Sequence, residues 1–269
     1  FFDGFRTSHE YQKVACWDYA DLADMLDWDA LNDFRRKSLN PEHPAQRGTA
    51  QNPDVFFQAK EASNKAYDAI PEVVEEYMNK VNEKIGSDYK LFNYYGAEDA
   101  DEVIIAMESV CDTISETVDY LNANGRKVGL VKVRLYRPFS VKHLVAAIPS
   151  TVKKISVLDR TKEPGSIGEP LYLDVVAALR DTEFANVPVY TGRYGLGSKD
   201  TTPAQIIAVF KNTEKKRFTI GINDDVTNLS LALDENPDTT PAGITSCKFW
   251  GLGADGTVGA NKNSVKIIG

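Results

Sequence analysis

The sequence predicts an α/β fold, a doubly wound and mostly parallel sheet with partial flanking domains. Between residues 89 and 212, short β-branched runs alternate with helical segments, and strands joined by helices in this rhythm lie parallel. The run at residues 103–107 is apolar throughout, and the run at residues 155–158 is apolar except for Ser156, as expected for strands that are buried on both faces. On either side of this stretch the rhythm is lost, which predicts separate structural units.

The elements of the predicted sheet domain follow one another at short spacing. Asn124-Gly125 ends the first helix, because glycine favours the position after a helix, and Ser140 begins the second as its cap. Thr202-Pro203 begins the last helix, since proline fits the first helical position. The predicted strands are residues 103–107, 128–135, 155–158 and 187–190, and the predicted helices are residues 111–124, 140–147, 171–179 and 202–210.

Before residue 89 the pattern predicts helices joined by an extended connector. Residues 1–5 are typical of a core strand that runs into a turn, and residues 21–36 carry apolar side chains at helical spacing. The prolines of residues 40–53 disfavour helix and indicate the connector. A long amphipathic helix is predicted over residues 53–81, and Pro71 is expected to kink or split it.

After residue 212 the alternation of strands and helices ends. Asn236-Pro237 and Thr240-Pro241 favour a strand pair followed by a linker, and residues 248–269 begin another unit, with an apolar, β-leaning stretch at residues 265–268. The sequence lacks an initiator Met and a signal peptide, and both of its ends are apolar. We therefore expect an internal segment of a longer protein.

Composition and charge argue against several classes of function. The chain is 42% hydrophobic, and no apolar run approaches the roughly 18 residues that cross a bilayer, so we predict no membrane role. The net charge of -8 and the lack of a dense Lys/Arg run argue against binding of nucleic acid. Cys16, Cys111 and Cys247 are odd in number and far apart, which predicts no disulfide framework and favours a reducing cytoplasm.

Ligands of open parallel sheets bind where the strands end, so the loops after Met107, Leu135, Leu158 and Tyr190 are the places to search. The first of these loops, residues 108–111, contains no glycine. A backbone without glycine cannot close on a pyrophosphate as a dinucleotide fingerprint does. The sequence therefore argues against a nicotinamide dehydrogenase.

Three other loops contain glycines that could serve a binding site. Residues 159–169 mix charges with turns, which suits either an anion or domain interface or a salt-bridged connector, and residues 192–200 carry a lone G-x-G. Residues 251–259 hold the densest glycine cluster, where successive N–H groups could bind an anion with help from Thr257 and Lys262. The same pattern is equally typical of a corner between a strand and a helix.

Side chains with the spacing of metal ligands or of a catalytic triad are missing from the sequence. His9, His43 and His143 have no neighbours at metal-ligand spacing, and Ser8-His9-Glu10 does not form a triad pattern. We therefore predict no catalytic residue and no metal ligand in this chain.

Five strings together resemble one family, the pyruvate:ferredoxin (or flavodoxin) oxidoreductases. They are FFDGFRTSHE at residues 1–10, GTAQNP at 48–53, KVRLYRPF at 132–139, LDRTKEPG at 158–165 and KFWGLGADGTVGANK at 248–262. The resemblance runs from end to end and preserves the order of the strings. Glu108 departs from it, because a glycine is expected at that position.

The resemblance implies four parts within the chain. Residues 1–88 resemble the C-terminal portion of a pyrimidine-binding domain I, and residues 89–212 resemble a domain II similar to the C-terminal domain of transketolase. Residues 213–247 are then a linker, and residues 248–269 start a domain III that takes part in coenzyme A binding. The implied coenzyme A-binding residues are Gly253, Ala254, Asp255, Gly256 and Thr257.

The resemblance also implies what the parent enzyme uses. It would oxidise pyruvate and coenzyme A to acetyl-CoA and CO2, with thiamine diphosphate, magnesium and [4Fe-4S] clusters as cofactors and ferredoxin or flavodoxin as acceptor, and it would be a cytoplasmic homodimer. Ala254-Asp255-Gly256 lies too near the end of the sequence to be joined by the downstream Asn of a thiamine site, and three scattered cysteines cannot hold a cluster.

We therefore expect a segment that binds no cofactor by itself and is inactive alone. Its expected role is that of a structural interdomain module whose partners are the remaining domains of the parent chain. Two alternatives stay open: an independent nucleotide-binding protein that uses residues 251–259, and a protein-docking module with an exposed apolar face.

Overall fold

The structure, a computed structural model, describes residues 14–44, 48, 50–222 and 226–268. The strand predicted at residues 1–5 and the Ser8-His9-Glu10 pattern lie outside the described residues. Four helices precede the sheet, and they are Tyr19–Met25 (α1), Trp28–Arg36 (α2), Pro53–Ala62 (α3) and Asn64–Ile85 (α4).

The prediction of one helix over residues 21–36 is wrong, because the structure has two. Leu26 is extended and ends α1, and the Asp27 side chain caps α2 by accepting a hydrogen bond from the Ala30 N–H at 2.9 Å. Asp18 caps α1 in the same way by accepting from the Asp21 N–H at 2.9 Å, and the Asp18 N–H donates in return to the Asp21 carboxylate at 3.3 Å. The two aspartate caps, rather than the apolar spacing, set where these helices begin.

The long helix predicted from Pro53 is also two helices, and the break falls at Ser63 rather than at Pro71. The Ser63 N–H and hydroxyl both donate to the Lys60 carbonyl, which ends α3. The next helix, α4, runs through Pro71 for 22 residues, so the proline removes one hydrogen bond without splitting it. Among the described residues of α1 to α4, no side chain is buried.

The predicted fold class is confirmed by a six-stranded sheet of order β1-β3-β2-β4-β5-β6. All neighbouring strands are parallel except β1, which pairs antiparallel with β3. The strands are Phe92–Gly96 (β1), Glu102–Ala106 (β2), Val128–Val133 (β3), Lys154–Asp159 (β4), Val189–Arg193 (β5) and Arg217–Thr219 (β6).

Two layers of helices cover the sheet. They are Val110–Ala123 (α5), Val141–Ala147 (α6), Pro170–Leu179 (α7) and Pro203–Lys211 (α8), all close to their predicted positions. One apolar cluster lies between the sheet and the α5 and α8 layer, and it includes Ile104, Ile114 and Phe210. A second cluster on the other face includes Ile105 and Val175, and Val74 of α4 packs against it. The sheet is therefore buried on both faces, as its apolar strands predict.

The strand order places a topological switch point between β2 and β4. From β2 the chain crosses over α5 to β3 on one side, and from β3 it crosses over α6 to β4 on the other side. The carboxyl ends of β2 and β4 flank this point, where open parallel sheets bind ligands. The loops that follow these strands are therefore the first place to look for a site.

The strand pair predicted after residue 212 is wrong. The segment contributes β6 to the sheet and a single parallel bridge between Thr219 and Ser230. Residues 265–268, predicted as β-leaning, lie in a helix, Thr257–Ile268 (α9), because the Asp255 side chain favours a helical start at Thr257. Across the described residues, no helix has the length and apolarity to cross a membrane. The limits given above for the four parts of the chain stay predictions.

Candidate functional site

The loops at the carboxyl edge of the sheet contact one another. The Tyr194 hydroxyl, just past β5, donates to the carbonyl of Met107, just past β2, at 3.4 Å. Arg137, in the loop after β3, donates to the Asp174 carboxylate of α7 at 2.6 Å. The structure thus brings together the loops that the sequence singled out after Met107, Leu135, Leu158 and Tyr190.

Asp159, the last residue of β4, is a buried carboxylate at this edge. It is 5% exposed and accepts hydrogen bonds from the N–H groups of Leu171 at 2.9 Å and Tyr172 at 3.1 Å, so it caps α7 from a neighbouring strand. Burial raises its pKa to about 6, against the lowering effect of these two bonds, and the charges of Glu169 and Asp174 raise it further. In the described part of the chain, no Lys or Arg forms an ion pair with Asp159.

Glu169 holds the other end of the loop that follows β4. It is 2% exposed, accepts a hydrogen bond from Arg193 Nε at 2.6 Å and accepts a second from the Glu163 N–H at 2.7 Å. A buried carboxylate needs such partners because an unpaired charge in the interior is costly. With both of its buried acids engaged, the loop over residues 159–169 is a salt-bridged connector.

The glycines of residues 192–200 serve close packing. A Cβ added at Gly192 would lie 2.4 Å from the Phe218 ring, and one added at Gly195 would lie 2.9 Å from Arg160 Nε. Gly195 also has a φ of +70°, which favours glycine. A Cβ added at Gly197, the second glycine of the G-x-G, would lie 2.9 Å from the Gly221 carbonyl oxygen, so close packing accounts for the pattern without a bound phosphate.

A cleft of about 350 Å³ opens between the ends of β2 and β3. Its walls include Glu108 and Ser109 at the start of α5, and Lys132 and Arg134 at the end of β3. Glu108 has a φ of +72°, a left-handed backbone that favours glycine, and this explains why a glycine is expected at that position. Sequence reasoning missed this cleft, although a Lys and an Arg two residues apart on a strand signal a shared face.

Of the predicted coenzyme A-binding residues, Gly253, Ala254, Asp255 and Gly256 form an exposed loop before α9, and Thr257 is the first residue of that helix. Gly253 has a φ of +108° and Gly256 a φ of +84°. The Asp255 carboxylate accepts hydrogen bonds from the Leu252 N–H at 3.2 Å, from the Thr257 N–H at 2.9 Å and from the Thr257 hydroxyl. These bonds lower the pKa of Asp255, and they direct the loop amides at a carboxylate of the same loop.

The remaining candidate side chains make local contacts. His143 Nδ1 lies 2.6 Å from the Ser140 hydroxyl, and its Nε2 lies 3.8 Å from Glu75 of α4. Of the cysteines, Cys111 is buried and the other two are exposed. Within the described ranges, no three His, Cys, Asp or Glu side chains gather as metal ligands.

Two family models match the chain in sequence order. One, described as pyruvate flavodoxin/ferredoxin oxidoreductase, thiamine diphosphate-binding, matches residues 1–79, and the other, described as pyruvate:ferredoxin oxidoreductase core domain II, matches residues 100–206. A pyruvate-flavodoxin oxidoreductase of Enterobacter agglomerans is 60% identical over 100% of this chain and 23% of its own length. The pyruvate:ferredoxin oxidoreductase of Moorella thermoacetica is 57% identical, also over 100% of this chain and 23% of its own length.

A solved 2-oxoglutarate:ferredoxin oxidoreductase of Magnetococcus marinus, with 2-oxoglutarate, coenzyme A and succinyl-CoA bound, aligns at a TM-score of 0.41 and 20% identity. The alignment covers 63% of this chain and 25% of that chain. The chain spans less than a quarter of the length of the two relatives above. On the two matching models and on identity along its whole length, the chain belongs to the pyruvate:ferredoxin (flavodoxin) oxidoreductase family.

Proposed function

We propose that this chain is part of an enzyme that oxidatively decarboxylates pyruvate, with coenzyme A as acyl acceptor and ferredoxin or flavodoxin as electron acceptor. The observation that carries the proposal is the 60% identity to a pyruvate-flavodoxin oxidoreductase across the whole chain. Because the chain spans 23% of that relative, the reaction belongs to the longer protein. The products would be acetyl-CoA, CO2 and the reduced acceptor.

Within that enzyme we assign the chain the role of a structural interdomain module. The ends of β4 and β5 support this role, because Asp159 and Glu169 are engaged by backbone N–H groups and by Arg193, so that neither carboxylate is free for catalysis. The apolar side chains exposed on α1 to α4, such as Phe34 and Phe57, supply surface for the remaining domains. The four parts proposed above, 1–88, 89–212, 213–247 and 248–269, would each adjoin those domains.

The cofactors of the whole enzyme would be thiamine diphosphate with magnesium, [4Fe-4S] clusters and coenzyme A. Thiamine diphosphate is supported by the description of the family model that matches residues 1–79. The clusters would bind elsewhere, since Cys16, Cys111 and Cys247 are too far apart in sequence to form a cysteine quartet. We place the enzyme in the cytoplasm as a homodimer.

We propose that Gly253, Ala254, Asp255, Gly256 and Thr257 contribute to the coenzyme A site of the whole enzyme. Two positive-φ glycines let this exposed loop turn sharply, and the Asp255 carboxylate fixes it through the N–H groups of Leu252 and Thr257. Asp255 would thus order the loop rather than touch a phosphate, because like charges repel. The ligand contacts would come from the loop backbone.

Kinetics of the full-length enzyme test both proposals. The full-length enzyme should reduce ferredoxin or flavodoxin when pyruvate and coenzyme A are added, and the 269-residue chain alone should not. In the full-length enzyme, Asp255→Ala should raise the KM for coenzyme A with little change in the KM for pyruvate. Asp238→Ala is the matched control, since Asp238 accepts the same kind of local bond, from the Thr240 N–H at 3.0 Å.

Turnover of pyruvate by the chain alone would overturn the structural role. An unchanged KM for coenzyme A in the Asp255→Ala enzyme would overturn the loop assignment and leave the reaction assignment standing.

A further inference from the structure

The cleft of about 350 Å³ at the ends of β2 and β3 is lined by none of the residues of the loops after β4 and β5. We propose that this cleft binds an oxyanion with two or more negative charges, the phosphoryl group of a small molecule, between Lys132 and Arg134. The inference concerns a different part of the chain from the proposed coenzyme A loop. It does not depend on the reaction of the whole enzyme.

The two cations are the first reason. Lys132 lies on β3 and Arg134 directly follows the strand, where its N–H still donates to the Leu91 carbonyl at 3.0 Å, so the two side chains share a face, and both line the cleft. Both are half-buried, and neither forms an ion pair with any Asp or Glu in the described part of the chain. Two like charges that line one cleft repel each other, and a bound anion relieves that repulsion.

The guanidinium of Arg134 is oriented before any ligand arrives. Its Nε donates to Asn93 Oδ1 at 2.8 Å, and its carbon lies 4.6 Å from the centroid of the Tyr89 ring. Asn93 is 5% exposed and is itself held by the Asp88 carbonyl at 2.6 Å. A guanidinium fixed through Nε keeps its two Nη groups available as a fork, which matches a phosphate in geometry.

Lys132 stands on the same wall of the cleft with fewer constraints. Its Nζ lies 5.2 Å from the centroid of the Tyr95 ring, and Tyr95 is bound in turn to the Asp119 carboxylate. An ammonium on a flexible stem serves as a point charge beside the planar fork of Arg134. The pair therefore offers both directional and non-directional attraction to one phosphoryl group.

The opposite wall carries two carboxylates, and it gives the proposal its sharpest test. Asp112 is exposed, so water screens its charge, whereas Glu108 is half-buried at the mouth of the cleft. Glu108 must therefore weaken the binding of an anion. Removing its charge should strengthen binding, which a nonspecific surface site would not show.

The experiment is a titration of the 269-residue chain with inorganic phosphate, followed by proton-nitrogen NMR at constant ionic strength. The expected result is saturable shifts of the Arg134 Nε–H and of the amides of Val110 and Asp112. Arg134→Met and Lys132→Met should each weaken binding about tenfold, the effect of losing one charge-assisted contact. Glu108→Gln should tighten binding severalfold.

Lys142→Met is the matched control. Lys142 is exposed on α6, which covers the face of the sheet opposite to α5, and its loss changes the net charge by the same amount. If Arg134→Met disturbs the fold by releasing Asn93, the Lys132→Met variant decides, since the Lys132 ammonium lies over the ring of Tyr95, a side chain that is 37% exposed. Shifts that do not saturate would overturn the proposal. An equal loss of affinity in Lys142→Met, or no gain in Glu108→Gln, would overturn it as well.

Discussion

The sheet domain buries an apolar cluster on each face, whereas the helices α1 to α4 bury none of their described side chains. Both regions have well-formed helices with aspartate or threonine caps, so local sequence specifies helices in each. The difference lies in packing, because a helix in water gains most of its stability from the surface it buries. The sheet therefore has an apolar core of its own, whereas we propose that the helices before it also pack against other domains of the longer protein.

The largest expected effect comes from removing a buried side chain. Ile104→Ala should lower the free energy of unfolding by about 3–4 kcal/mol, because Ile104 is fully buried in the sheet and its loss leaves a cavity. Ile85→Ala, the same change at the half-exposed end of α4, should cost less than about 1 kcal/mol. Urea unfolding of the two variants measures both. Equal losses of unfolding free energy in the two variants would contradict the difference in burial between the sheet and the helices before it.

Breaking the buried ion pair at the strand ends should have the next largest effect. Arg193→Met leaves the Glu169 carboxylate buried without its cation, which should cost about 3 kcal/mol in unfolding free energy. Arg36→Met removes an exposed partner of Asp33 on α2 and should cause no measurable change. A small loss in the first variant would show that the connector over residues 159–169 is held by other contacts.

The buried Asp159 makes stability depend on pH. Its folded pKa of about 6 lies above the ordinary value of 3.8, so its favourable contribution is present below about pH 4 and is lost as the pH rises through about 6. From pH 4 to pH 7, the free energy of unfolding of Asp159→Asn should therefore gain about 2 kcal/mol relative to the parent chain. The control is Asp112→Asn, an exposed acid on α5. Parallel pH profiles for all three proteins would contradict the assignment.

The smallest expected effect is a gain in stability. Glu108→Gly should raise the free energy of unfolding by about 0.5–1 kcal/mol, since glycine adopts a φ of +72° without strain. Glu116→Gly, inside α5, should have the opposite sign and cost about 1 kcal/mol. Thermal unfolding of the two variants measures both changes. A loss of stability in Glu108→Gly would contradict the expectation, and it would mean that a contact of the Glu108 side chain stabilises the fold by more than the strained backbone destabilises it.

Elements with strong local signals could be predicted from the sequence. Apolar β-branched runs predicted β2, β3 and β4, and a threonine cap followed by proline predicted α8. The strand β1 has the sequence FNYYG, without β-branched residues, and it forms through its pairing with β3. Its existence depends on a partner more than 30 residues away in sequence, which local patterns do not report.

The sites were harder to predict, because their contacts join distant residues. The pair of Glu169 and Arg193 and the cap that Asp159 provides for α7 follow from the order of the strands, which the sequence alone did not fix. Glu108 is different, since the resemblance to the family implied a glycine at that position, and the left-handed backbone found there supplies the physical reason. The glycine loop before α9 was predicted from composition, and its use of the Asp255 carboxylate as an internal partner was not.

We propose that this chain is a scaffold and that the reactive centre lies in other parts of the whole enzyme. Calorimetric titration of the 269-residue chain with thiamine diphosphate and magnesium tests it most directly. We expect no saturable heat from the chain and saturable binding by the full-length enzyme under the same conditions. Stoichiometric, tight binding of thiamine diphosphate by the chain alone would contradict it.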